Sequence, residues 1–216
     1  RVRGCLFGMG KGGKEGKGKG KDLDNSPRDV RISKALTQIL RHKGTDLGLD
    51  VRSDAYIKLE EVLACKLLTK LKATVEDVEK VVRTSDKKRF ELTTEGGTAL
   101  IRAVQGHSMK VVQDGELMEA LAADQVDLPE ECVHGTYHRY LASILKGGLR
   151  AGGKLGPQFR NHIHFAPHAP WDGRVISGMR YDAEVAIWLD LRRALRSGIP
   201  FYLSKNQVIL TPGEGG

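Results

Sequence analysis

The chain has 216 residues, 40% of them hydrophobic, a net charge of +8 and three cysteines. That apolar content suits one large or two small folded domains. It excludes a membrane-spanning helix, since no apolar run approaches roughly 20 residues, and a disulfide framework, since Cys5, Cys65 and Cys132 are odd in number and far apart. The charge alone does not specify nucleic acid, because seven basic residues and one acidic residue fall within residues 1–21 and the remainder is close to balance.

The opening GCLFGMG is too short and glycine-broken for a signal-peptide core. With unpaired cysteines, this points to a reducing, intracellular setting, nuclear or cytoplasmic. Residues 8–21, GMGKGGKEGKGKGK, are Gly/Lys low-complexity sequence. Such a segment buries too little apolar surface to offset its ordering entropy, so residues 1–25 are expected to be a disordered tail.

From Ser26 the pattern becomes helical. Ser26 is a candidate N-cap with Pro27 at the first helical position, and Ile32, Leu36, Ile39 and Leu40 share one face. The run ends in Arg41, His42 and Lys43 before Gly44. Cations at a helix C-terminus complement the macrodipole; alternatively, Arg41 presents a planar fork to a phosphate with His42 beside it. AYIKL reads as a short strand, LEEVLACKLLTKL as one helix, and VEDVEKVVRTS as another, capped by Thr74. RFELTT and TALIRAV, joined through EGG, read as a hairpin. Helices followed by a two-stranded hairpin give the order of a winged helix, expected over residues 26–115.

Around that hairpin lie further polar groups. Arg89 abuts Phe90 at the end of the DKKR charge run, and Arg102, Gln105 and His107 follow the hairpin in IRAVQGHS. They make either a plain turn or the lining of a nucleic-acid groove. Residues 116–130 read as a polar linker. After it come CVHGTY as a strand, HRYLASILKGGL as a helix, HIHFA as an alternating strand, and the β-rich runs EVAIWLDL, IPFYLS and QVILTP. Residues 131–216 are therefore expected to be a second, α+β domain. His162 and His164 share one face of their strand. With His134 or His168 they would be candidate metal ligands, but no acidic residue at metalloprotease spacing and no nearby cysteine supports that, so no metal is expected. Arg180 stands in a polar turn ahead of EVAIWLDL, a position that loops often give to function.

Taken in order, KALTQILRHKG, DAYIKLEEVL, KKRFEL, IRAVQGHS, HGTYHRYLASILKGGL, RNHIHFA, ISGMR, EVAIWLDL and GIPFYLSKNQVILTPG closely resemble the NAD-dependent tRNA 2′-phosphotransferases from about residue 28 to 213. The resemblance implies an α+β protein whose N-terminal winged-helix lobe engages RNA and whose C-terminal ADP-ribosyltransferase-like lobe holds NAD as co-substrate. The reaction it implies removes an internal 2′-phosphate from ligated tRNA. The phosphate attacks the nicotinamide-bearing ribose carbon. The 2″-hydroxyl then attacks the phosphate, giving 2′-hydroxyl RNA, nicotinamide and ADP-ribose 1″,2″-cyclic phosphate.

The family's essential Arg, His, Arg, Arg set maps onto Arg41, His42, Arg89 and Arg180, with Arg41 and His42 facing NAD. Preorganised guanidiniums would stabilise charge on a transferring phosphoryl group. His134, Gly135 and Thr136 match the strand laid against NAD, and His162 and His164 match the second. Arg102, Gln105 and His107 are assigned to RNA. A monomer without membrane partners is expected. The loop RAGGKLGPQFRN (150–161) is longer than the family's usual one. Two other readings stand beside this one: ADP-ribosyl transfer to phosphorylated nucleic-acid ends, and a non-enzymatic winged-helix binding protein.

Overall fold

The computed structural model describes residues 4–6 (backbone), 26–152, 160–175, 177–180 and 182–214. Most of the expected tail lies outside the described residues. Within it, Gly4–Leu6 forms a strand, β1, paired antiparallel with Val185–Ile187, so the chain is ordered earlier than expected there. An edge strand carries a row of unpaired N–H and C=O groups, and β1 satisfies them. The chain divides into two compact units, one built mainly from residues 19–118 and the other from residues 119–154 and 161–216, with β1 in the latter. Both helix and sheet are present, as an α+β reading requires.

In the N-terminal unit, α1 (Pro27–Gln38) begins with a capping box: Ser26 accepts from the Asp29 N–H, and the Asp29 carboxylate accepts from the Ser26 N–H. Ile32, Leu36, Ile39 and Leu40 are fully buried. Past Gln38 the helix widens into a π-helical turn, Ile39–Lys43. An α-helical turn of about 100° per residue would carry one of three consecutive residues outward; here Ile39, Leu40 and Arg41 all point inward. The chain continues through β2 (Ile57–Lys58), α2 (Leu59–Ala64), α3 (Lys66–Thr69) and α4 (Val75–Thr84). The single helix expected over LEEVLACKLLTKL is thus broken at Cys65, whose backbone is extended with ψ 138°. On an unbroken helix, Leu59 and Leu68 would lie about 180° apart; the break lets both reach the interior, where they are 3% and 0% exposed. The hairpin forms as expected, β3 (Phe90–Glu95) against β4 (Thr98–Ala103), and β2 pairs on the far side of β4. Gly96 and Gly97 have φ of 54° and 82°, the left-handed pair that a two-residue hairpin turn demands.

Two ion pairs tie α1 to α4. The Arg28 guanidinium donates to both Asp77 oxygens at 2.6 and 2.7 Å. Lys80 Nζ donates to Asp29 at 2.9 Å. Lys80 and the Ser26 N–H hold the Asp29 carboxyl below its usual range, against burial that pushes it up. A lowered folded pKa gives stability that is present above the unfolded value of about 3.9 and lost as pH falls below it. Asp29→Asn is therefore expected to cost about 2 kcal/mol near neutrality. In urea titrations the wild-type advantage should fade progressively as the pH falls below ~4, and a pH-independent difference would reject the assignment.

In the C-terminal unit, after α5 (Asp114–Leu117) closes the first, come β5 (Glu119–Ala120), β6 (Val133–Thr136), α6 (His138–Gly147), β7 (Ile163–Phe165), β8 (Val185–Trp188), α7 (Leu191–Arg196), β9 (Tyr202–Leu203) and β10 (Ile209–Thr211). One sheet runs β1-β8-β6 and the other β5-β9-β10-β7, with a bridge from Val133 to Ala166 between them. Cys132, Phe165, Phe201 and Ile209 form the core, with Leu121, Ile163 and Leu191 around them. No helix among the described residues is long and apolar enough to cross a membrane.

Candidate active site

The π-helical turn sets Arg41 at 6% exposure, with Nε and Nη2 buried and lacking a hydrogen-bond partner. The loop after β4 packs on this turn. The Ser108 N–H donates to the Arg41 carbonyl at 2.9 Å, and the Ser108 hydroxyl lies 2.9 Å from His42 Nδ1. Gly106 has φ 84°, and a Cβ there would stand 3.2 Å from Arg41 Nη1, so glycine is needed both for the backbone and for the approach. Gly44 is more than a helix stop, since its Cβ would meet Val51 Cγ2 at 2.9 Å.

Among the described residues, no carboxylate forms an ion pair with Arg41. Burial, then the charges of Arg160 and Arg89, lower its pKa to about 9. Burial, then Arg41 and Arg160, lower the half-exposed His42 to about 4, so its imidazole is neutral near pH 7. Arg89 leads into β3; its carbonyl accepts from Val104 N–H at 3.0 Å, and its guanidinium reaches Asp86 only at 3.4 Å. Arg160 groups with this unit. Like-charge guanidiniums, one of them buried with open donors, form an arrangement suited to an anion.

Arg102 lies in β4, and Gln105 and His107, assigned to RNA with it, lie in the loop that follows. All three are buried, at 7%, 5% and 2% exposure. Arg102 bonds Glu91 at 2.8 and 2.9 Å and the Asp54 carbonyl at 3.0 Å, and lies 4.3 Å over the Tyr56 ring. Its guanidinium is committed to holding the sheet. The reason is register: Arg102 lies opposite Glu91 across the β3–β4 ladder.

In the C-terminal unit, β6 and β7 bring His134 and His164 together. His134 Nδ1 lies 2.9 Å from the His164 carbonyl and His164 Nδ1 lies 3.0 Å from the His162 carbonyl. A carbonyl only accepts, so a neutral ring donates from Nδ1 and keeps Nε2 as an acceptor. Burial lowers the His134 pKa, which favours that neutral form. Thr136 and His162 are buried. Gly135 is packed so closely that a Cβ would come within 2.5 Å of Met179 Cγ and 2.9 Å of Ala183 Cβ. Arg180 is exposed and donates from Nη1 to the Tyr137 hydroxyl at 3.2 Å. No group of three or more His, Cys, Asp or Glu among the described residues is placed to hold a metal.

These arginines and histidines lie within residues 27–213, which match the model of the RNA 2′-phosphotransferase, Tpt1 / KptA family. The chain belongs to this family. It is 42% identical to tRNA 2′-phosphotransferase 1 of Danio rerio over 94% of this chain and 85% of that one. It is 44% identical to the Homo sapiens protein of the same name over 87% and 70%, and 35% identical to tRNA 2′-phosphotransferase of Saccharomyces cerevisiae over 88% and 81%. The family's name specifies a phosphate as the group that is moved. Arg160 is the residue the sequence reading passed over. Its only local signal is its place two residues before the His-x-His strand, at the end of a loop whose residues 153–159 lie outside the described ones.

Proposed function

We propose that this RNA 2′-phosphotransferase moves the internal 2′-phosphate of ligated tRNA to NAD, leaving 2′-hydroxyl RNA, nicotinamide and ADP-ribose 1″,2″-cyclic phosphate. The observation that carries this reading is Arg41, a buried guanidinium with open donors beside the cations Arg160 and Arg89. Such a group is stable as an ion when an anion meets it. NAD, when bound, supplies an activated ribose carbon with a neutral leaving group. The His134 Nε2 acceptor fits a ribose hydroxyl, and Gly135, Thr136, His162 and His164 complete the residues assigned to hold the dinucleotide.

Arg41, Arg89 and Arg160 bind the phosphate and stabilise the charge that builds on its oxygens during transfer. Arg180 is proposed as a further residue of the catalytic set. Neutral His42, oriented by Ser108, accepts a proton or hydrogen bond from a reacting hydroxyl. The N-terminal unit is the RNA-binding winged-helix lobe and the C-terminal unit the ADP-ribosyltransferase-like one. An intracellular site of action, nuclear or cytoplasmic, goes with that substrate. The test is incubation with NAD and an RNA bearing one internal 2′-phosphate, followed by product identification. Free nicotinamide with the cyclic ADP-ribose phosphate is expected. A stable ADP-ribosyl adduct on a phosphorylated end, or no nicotinamide at all, would overturn the reading.

A further inference from the structure

In the C-terminal unit, the start of α6 carries an exposed group of rings and cations. Tyr137 and Tyr140 meet edge to face, with centroids 6.2 Å apart and planes at 67°. The Arg139 guanidinium carbon lies 4.8 Å from the Tyr137 centroid and 5.0 Å from that of Tyr140. Arg180 lies 5.7 Å over the Tyr137 ring. Both arginines are exposed and both rings half-buried. Two carboxylates lie nearby: Asp182 accepts from the Tyr137 hydroxyl at 3.0 Å and Glu184 from the His138 N–H at 2.9 Å. Helix α6 behind them has no buried residue, so these side chains are not simply the edge of a packed core.

We propose that Tyr137, Arg139 and Tyr140 form a platform on which unpaired bases of the RNA stack. This rests on the reading of RNA as substrate. Guanidinium and phenol planes accept the flat faces of bases whatever their sequence, and exposed arginine edges meet the adjoining phosphates. A dinucleotide co-substrate would instead be enclosed over most of its surface, and these residues sit on an open helix start. An acidic peptide would use arginine edges but would have no use for stacked ring planes. Single-stranded nucleic acid uses both.

The experiment measures affinity for a labelled single-stranded RNA without a 2′-phosphate by fluorescence anisotropy, together with the KM values for phosphorylated RNA and for NAD. Replacing both Arg139 and Tyr140 by alanine is expected to weaken RNA binding about tenfold, as for loss of a stacked base. The KM for NAD and the turnover at saturating RNA should stay unchanged. Arg139→Lys keeps the charge and removes the plane, so it should weaken binding nearly as much as Arg139→Ala. Unaltered RNA affinity in the double variant, wild-type affinity in Arg139→Lys, or an effect confined to the KM for NAD would each overturn the platform. A wild-type protein that binds RNA with this sensitivity yet removes no phosphate would support the platform and reject the phosphotransfer reading. Unchanged thermal melts of the variants guard against unfolding as the cause.

Discussion

Arg41→Met is expected to lower the rate of 2′-phosphate removal by about 10²–10³-fold while raising the melting temperature of the free protein by several degrees. Both effects come from one feature. The guanidinium is buried with two open donor nitrogens and is flanked by Arg89 and Arg160. Its pKa falls to about 9. A base whose folded pKa lies below its unfolded one destabilises the fold, fully so below pH 9, with the penalty fading as pH rises toward the unfolded value. Neutral-pH measurements therefore see the whole penalty, and methionine keeps an unbranched stem without the charge. The same argument predicts that inorganic phosphate stabilises the wild type and leaves Arg41→Met unaffected. A variant that is both destabilised and fully active would show that the buried charge serves the fold and not the reaction.

Much of this arrangement was legible in the sequence, but unevenly. Ser26 and Thr74 announce their helices because capping is local: a side chain, a backbone N–H and a carboxylate three residues on. The hairpin is equally local, resting on Gly96 and Gly97. The break at Cys65 was hidden because the hydrophobic spacing across it reads as one helix; packing of Leu68 decides the matter, and packing is not local. Helix α7 was missed because WLDLRRAL continues the apolar texture of β8, though Asp190, whose side chain accepts from Arg193 N–H, marks its start. The widened turn at Ile39–Lys43 likewise follows from the need to bury three consecutive residues. At the site, Arg41 and His42 stand beside one another in the sequence, whereas the pairing of Arg102 with Glu91 is set by strand register. Adjacency in space without adjacency in sequence also explains Arg160. Nothing near residue 160 points toward Arg41; only the folded chain sets their charges against each other.

Arg160 supplies the other large effect. Arg160→Ala is expected to reduce kcat/KM for phosphorylated RNA by about 10²–10³-fold, a greater loss than Arg180→Ala produces. Both arginines are exposed, and Arg180 donates to the Tyr137 hydroxyl. Arg160 instead stands close enough to Arg41 and His42 to depress the pKa of both. Repulsion of that kind persists in a fold when a ligand of opposite sign offsets it in the working complex. Removing Arg160 should therefore also lift the His42 pKa, a shift that proton NMR of the imidazole reads without any substrate and that a purely remote residue would not produce. Equal or larger loss in Arg180→Ala, with His42 unmoved by Arg160→Ala, would transfer the role to Arg180 and leave the phosphate held from the C-terminal unit instead.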